Sequence, residues 1–200
     1  MSKLMDKQTA LQDFVEKYVL HQWEHELLAI DQRYNQNKAN IENGLTAAFA
    51  KACEKALKLQ DQGPKGDIQY IYLSLLRTSI MNNTAMYRIE AYDQNWYLDQ
   101  EECYALWEAD FIFKSLFQNM NELETKKADY ARKITSMDIE RIKQNEAIKY
   151  HILAVEFIRE MLPRLIETDG YKQMGKTLDI SIMAGEYMDQ SEILDGKLGQ

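Results

Sequence analysis

Apolar positions recur along this chain with two periods, and the change of period divides it. From Asp6 to about Asn35 the spacing is helical: Leu11, Phe14, Val15, Tyr18, His21, His25 and Leu28 share one arc, and Asp13, Lys17, Glu24 and Asp31 share another. Leu20, Trp23, Leu27, Ile30 and Tyr34 add a second apolar stripe, so the middle of this helix is expected to be covered on two sides. The Asn-rich stretch Asn35 to Asn40 predicts a turn. A second helix is then expected from about Ile41 to Gln60, with Leu45, Ala48, Phe49, Ala52, Cys53 and Ala56 on one face. The small residues on that face permit close approach of a neighbour. Gly63-Pro64-Lys65-Gly66-Asp67 combines a helix stop with turn chemistry.

Between Asp67 and Asp99 both periods fit. Ile68, Ile71, Tyr72, Leu75 and Leu76 stand at helical spacing, yet the stretch is rich in β-formers, and Met86 to Tyr92 interleaves aromatics and isoleucine with charges as a half-buried strand does. With Asn82-Asn83-Thr84 as a turn signal, this composition predicts an antiparallel hairpin, about 68–80 against 85–98. Helix is expected again from Glu101 to about Asn121, then a charged helix over Lys126 to Lys149 and an apolar one over Ala147 to Ile166, ended or kinked at Pro163. Leu178 to Ala184 alternates with period two and predicts a last strand added to the hairpin.

The fold class read from this pattern is α+β in a single domain over 1–200: a small antiparallel sheet, made of the hairpin about 68–98 and a C-terminal strand about 178–184, packed against four to six helices. Residues 1–5 and 191–200 are expected to fray. The competing architecture is an all-α bundle in which 67–98 forms two helices.

Composition narrows the function classes. Lys and Arg number 24 against 32 Asp and Glu, a net charge of −8, and such a chain lacks the positive field that a nucleic-acid coat or an anionic-membrane binder needs. The helix over Lys126 to Lys149 is locally basic, but mixed signs at helical spacing describe a solvated face. No secretory leader is read at the amino terminus, and no stretch of about 18 apolar residues could span a membrane. With two cysteines, Cys53 and Cys103, 50 positions apart in the numbering, neither a disulfide framework nor a cysteine-rich zinc site is expected, and the thiols read as reduced and cytosolic. Phosphate-cradling and nucleophile-elbow motifs are missing from the sequence.

Two constellations could carry chemistry. His21-Gln22-Trp23-Glu24-His25 matches H-x-x-E-H, in which two histidines one helical turn apart share a metal and a glutamate activates its bound water. A zinc-dependent hydrolase with His21 and His25 as ligands, Glu24 as general base and His151 or a carboxylate completing the site is therefore the alternative reading. The favoured reading is histidines buried on apolar faces, with no metal or cofactor held. The second constellation is acidic. From Ile89 to Phe113 there is no Lys or Arg, while Glu90, Asp93, Asp99, Glu101, Glu102, Glu108 and Asp110 contribute seven carboxylates. Asp93 to Asp99 begins like a calcium loop but lacks its glycine and its final glutamate. The leading expectation is accordingly a non-enzymatic cytosolic interaction or regulatory protein. Its acidic aromatic surface, drawn from Asp93, Trp96, Asp99, Glu101, Glu102 and Trp107, would meet a protein partner or a second copy in a homodimer.

Overall fold

The computed structural model describes residues 6–196, apart from the side chain of Glu24. The protein is α+β: 61% of the described residues are helical, and they form a mixed sheet of five strands. In chain order, the helices α1 (Lys7–Tyr18) and α2 (Trp23–Gln62) come first. Next are β1 (Ile68–Leu75), α3 (Arg77–Met81), β2 (Met86–Asp93) and β3 (Tyr104–Glu108). The chain continues through α4 (Asp110–Lys126), α5 (Ser136–Leu165) and α6 (Asp169–Gln173) to β4 (Lys176–Glu186) and β5 (Ser191–Asp195). Packing groups these elements into two compact units: Met1–Lys38 with Asp110–Tyr150, and Ala39–Ala109 with His151–Gln200.

The first unit is helical. Asp6 caps α1 by accepting from Thr9 N at 2.8 Å. Phe14 then meets Tyr18 and Tyr130 edge-on, each with ring centroids 5.2 Å apart. The single helix expected from Asp6 to Asn35 is broken at 19–22, so the first apolar stripe is divided between α1 and α2. Phe14 and Ile30 are buried, whereas Leu20, Leu27 and Leu28 are exposed, and the middle is not covered on two sides as expected. The turn expected at Asn35 to Asn40 shrinks to Asn37 alone (φ −133°, ψ 24°), because the flanking residues keep helical geometry. At the centre lies a buried carboxylate. Glu26 accepts from Asn119 Nδ2 and from the hydroxyl of buried Tyr150, and burial raises its pKa.

The second unit carries the sheet, in the order β3-β2-β1-β4-β5. β1 and β2 form the expected hairpin, with Tyr72 opposite Glu90 and Leu73 opposite Ile89. Its arms are shorter than predicted because α3 fills the turn: the Ser79 hydroxyl donates to Leu76 O at 2.6 Å and accepts from Met86 N at 3.0 Å. Where helix is expected from Glu101, Tyr104–Glu108 instead pairs with β2, because its alternation buries Ala105 and Trp107, and helix begins only at Asp110. The C-terminal strand forms as expected but runs parallel to β1, which makes the sheet mixed rather than antiparallel. Alternation encodes which face a residue takes and carries no information on strand direction. Ser191–Asp195, expected to fray, pairs antiparallel with β4. The fraying expected at 1–5 and 197–200 lies outside the described residues.

Within this unit one face of the sheet packs on helix. Trp107 stacks on Phe157 of α5 with centroids 5.9 Å apart, and the predicted small-residue face of α2, Ala48, Ala52, Cys53 and Ala56, is buried. Pro163 stands in the last turn of α5, which ends at Leu165, within a turn of the proline as expected.

Candidate functional site

The opposite face of the sheet bears a different set of side chains. Period-two alternation turns Tyr70 and Tyr72 of β1, Arg88, Glu90 and Tyr92 of β2, and Tyr104 of β3 to that side. Arg88 clasps Glu90 with two bonds of 2.6 Å, lies 3.8 Å from the centroid of the Tyr104 ring, and has its pKa raised by that carboxylate. Glu90 also accepts from the Tyr92 hydroxyl at 2.7 Å, so this buried charge is fully partnered. Tyr72, Tyr92 and Met183 form a small second core, and burial pushes the Tyr72 hydroxyl up to about 12.

The β2–β3 connection roofs this core with aromatic rings. Trp96 stacks on Tyr97 at 4.8 Å and lies 5.8 Å from Tyr70, while Tyr97 meets Tyr72 at 5.8 Å and Tyr92 at 5.4 Å. The outward sides of the same residues stay in solvent: Trp96 is 44% exposed, Tyr97 38% and Leu98 84%. Trp96 holds a left-handed backbone, φ 53°, which a side chain other than glycine adopts at a cost.

The neighbouring carboxylates hold that conformation. Asp93 Oδ1 accepts from Asn95 N at 2.8 Å and its Oδ2 from Gly66 N at 3.3 Å. Asp99 accepts from Asp93 N at 3.1 Å and Glu101 N at 3.0 Å, and it pairs with Lys65, whose ammonium also donates to Glu101 O at 2.7 Å. The Lys65 side chain is wholly buried there. Three members of the acidic block, Glu90, Asp93 and Asp99, are thus turned inward as architecture, because each finds fixed donors that water would otherwise supply. Glu102 remains in solvent at 65% exposure, 3.5 Å from Arg88.

The predicted site residues are brought together in part. Asp93, Trp96, Asp99, Glu101 and Glu102 share this connection, whereas Trp107 points to the helix-packed face, 6% exposed against Tyr87 and Phe157. Periodicity did not identify Lys65, although a lysine between two glycines in a turn was the available signal.

The histidine motif takes another form. His21 sits in the turn before α2 and His25 on the helix itself, so the two do not stack one turn apart. Both are exposed, which corrects the expectation of buried rings: Val19, Glu26 and Ile30 occupy the buried positions instead. The Glu24 side chain lies outside the described residues, and His151 falls in the second unit. Among the described residues no group of three His, Cys, Asp or Glu could hold a metal ion. Nothing matched the chain in comparisons with protein-family models, with curated proteins, or with solved structures.

Proposed function

We propose that this chain is a non-enzymatic interaction protein whose recognition element is the Trp96-Tyr97-Leu98 connection, and that its partner is a protein segment presenting cationic and aliphatic side chains. The observation that supports it is an exposed aromatic group held in an unfavourable backbone conformation by a buried Lys65–Asp99 pair. Such preorganisation lowers the ordering cost of binding. Exposed aromatic rings attract Arg or Lys through cation–π contact, and the exposed Glu102 of the same connection adds negative charge. A second copy is less favoured as partner, since each brings a net charge of −8 to the encounter. The two cysteines are buried free thiols, which supports a reducing, cytosolic setting. Among the described residues no helix is long and apolar enough to cross a membrane.

The test titrates a peptide alternating Arg with Leu, and its counterpart with Glu in place of Arg, against the full chain while following the Trp96 indole signal by NMR. The basic peptide is expected to bind and to weaken with added salt, as screening within about 8 Å requires. Trp96→Ala, and Glu101→Lys combined with Glu102→Lys, are each expected to reduce affinity by about tenfold. Equal binding of the acidic peptide, or sedimentation as a dimer that Trp96→Ala abolishes, would overturn this reading.

A further inference from the structure

In the second unit a cavity of about 240 Å³ opens between α5 and the β4–β5 turn. Val155 and Ala184 form an apolar floor, with Ile152 at the edge, and His151, Ser191 and Glu192 contribute polar atoms. Gly185 is required there, since a Cβ would lie 2.2 Å from Gln190 O across the tight turn.

The state of His151 follows from its partner. The ring stacks on fully buried Tyr87, and Nδ1 lies 2.7 Å from the Tyr87 hydroxyl. If Nδ1 carried a hydrogen and donated, the phenolic proton would be left buried without an acceptor. The hydroxyl therefore donates, Nδ1 accepts, and the hydrogen of the neutral imidazole sits on Nε2. Burial favours that neutral form by lowering the pKa of His151. The cavity wall thus presents one fixed N–H donor. The carboxylates nearby are balanced: Glu192 pairs with Arg159 at 2.9 Å, and Glu186 with Arg77 at 2.6 Å. A charged ligand would find no uncompensated counter-charge.

We infer that this cavity binds a small neutral ligand with a carbonyl beside an N–H group, an amide or lactam edge. Its carbonyl accepts from His151 Nε2–H, its N–H donates to the Glu192 carboxylate, and its apolar remainder lies on Val155 and Ile152.

Three probes of equal length separate the chemistry: butyramide, butyrate and butylamine, titrated into the full chain with ¹⁵N-labelled histidine. The free protein is expected to show His151 as the Nε2–H tautomer, and butyramide to move its signals with roughly millimolar affinity. It is expected to bind about tenfold tighter than the two ions, because each ion leaves one wall group unpaired. Glu192→Lys, at an exposed position, is expected to weaken butyramide about tenfold by putting a donor where an acceptor is needed. An Nδ1–H tautomer, equal or better binding of either ion, no binding of any probe, or indifference to Glu192→Lys would each overturn the inference.

Discussion

Lys65, wholly buried, and His151, half-buried, each depend on one partner distant in sequence. The Lys65 side chain is packed against Asp99, and removing one member of such a pair leaves the other buried without compensation. Lys65→Met is therefore expected to cost about 3 kcal/mol in urea denaturation, at the low end of the range for broken buried pairs because Asp99 keeps two backbone donors. For His151 the folded pKa lies below the ordinary 6.5, chiefly through burial. Between the lowered folded value and 6.5 the unfolded chain binds more protons than the folded one, so stability rises with pH across that window. The contribution is fully present above 6.5 and is lost as pH falls below it. Replacing His151 with Phe is expected to lower stability at every pH, since Tyr87 loses its acceptor, while flattening the slope below pH 6.5. An unchanged slope in denaturation midpoints would refute this assignment.

At the scale of elements, two short segments depend on backbone geometry rather than on propensity. Trp96 stands at φ 53°, where a Cβ costs roughly 1–2 kcal/mol and glycine nothing. Trp96→Gly is therefore expected to be about 1 kcal/mol more stable than Trp96→Ala, the reverse of their order in ordinary backbone, although both lose the stacking on Tyr97. Gly170, in α6, packs against α2 so closely that a Cβ would lie 2.9 Å from Ala50 O and 3.3 Å from the Cys53 Cβ. Gly170→Ala is expected to destabilise by about 1–3 kcal/mol through overpacking, measured by thermal or urea unfolding. Of the predicted small-residue face of α2, Cys53 meets that approach.

For the whole molecule, secondary-structure content separates the two architectures that the sequence left open. A two-helix reading of 67–98 implies more helix than the 61% found, and far-UV circular dichroism is expected to give a value near 61% with a measurable strand component. Charge acts at this scale as well. The net −8 is not spread over the acidic block: Glu90, Asp93 and Asp99 are buried or nearly so, and each is tied to named donors. Mutating those three is expected to test folding, whereas mutating Glu102 tests recognition.

What the sequence determined by itself is the set of elements whose signal is local. The α2 face, the Ile68 and Met86 strands, the strand ending near Ala184 and the end of α5 after Pro163 all follow from periodicity or from the missing proline donor. The tertiary structure decided what depends on partners distant in sequence. Tyr104–Glu108 is strand because β2 offers it an edge, β4 runs parallel to β1, a direction that alternation does not encode, and Ser191–Asp195 is ordered because β4 pairs with it. The candidate site divided in the same way. Trp96 and its flanking carboxylates were legible as a cluster, but the donors that turn Asp93 and Asp99 inward, Gly66 N and the Lys65 ammonium, arrive from 27 and 34 residues earlier, and periodicity does not show them.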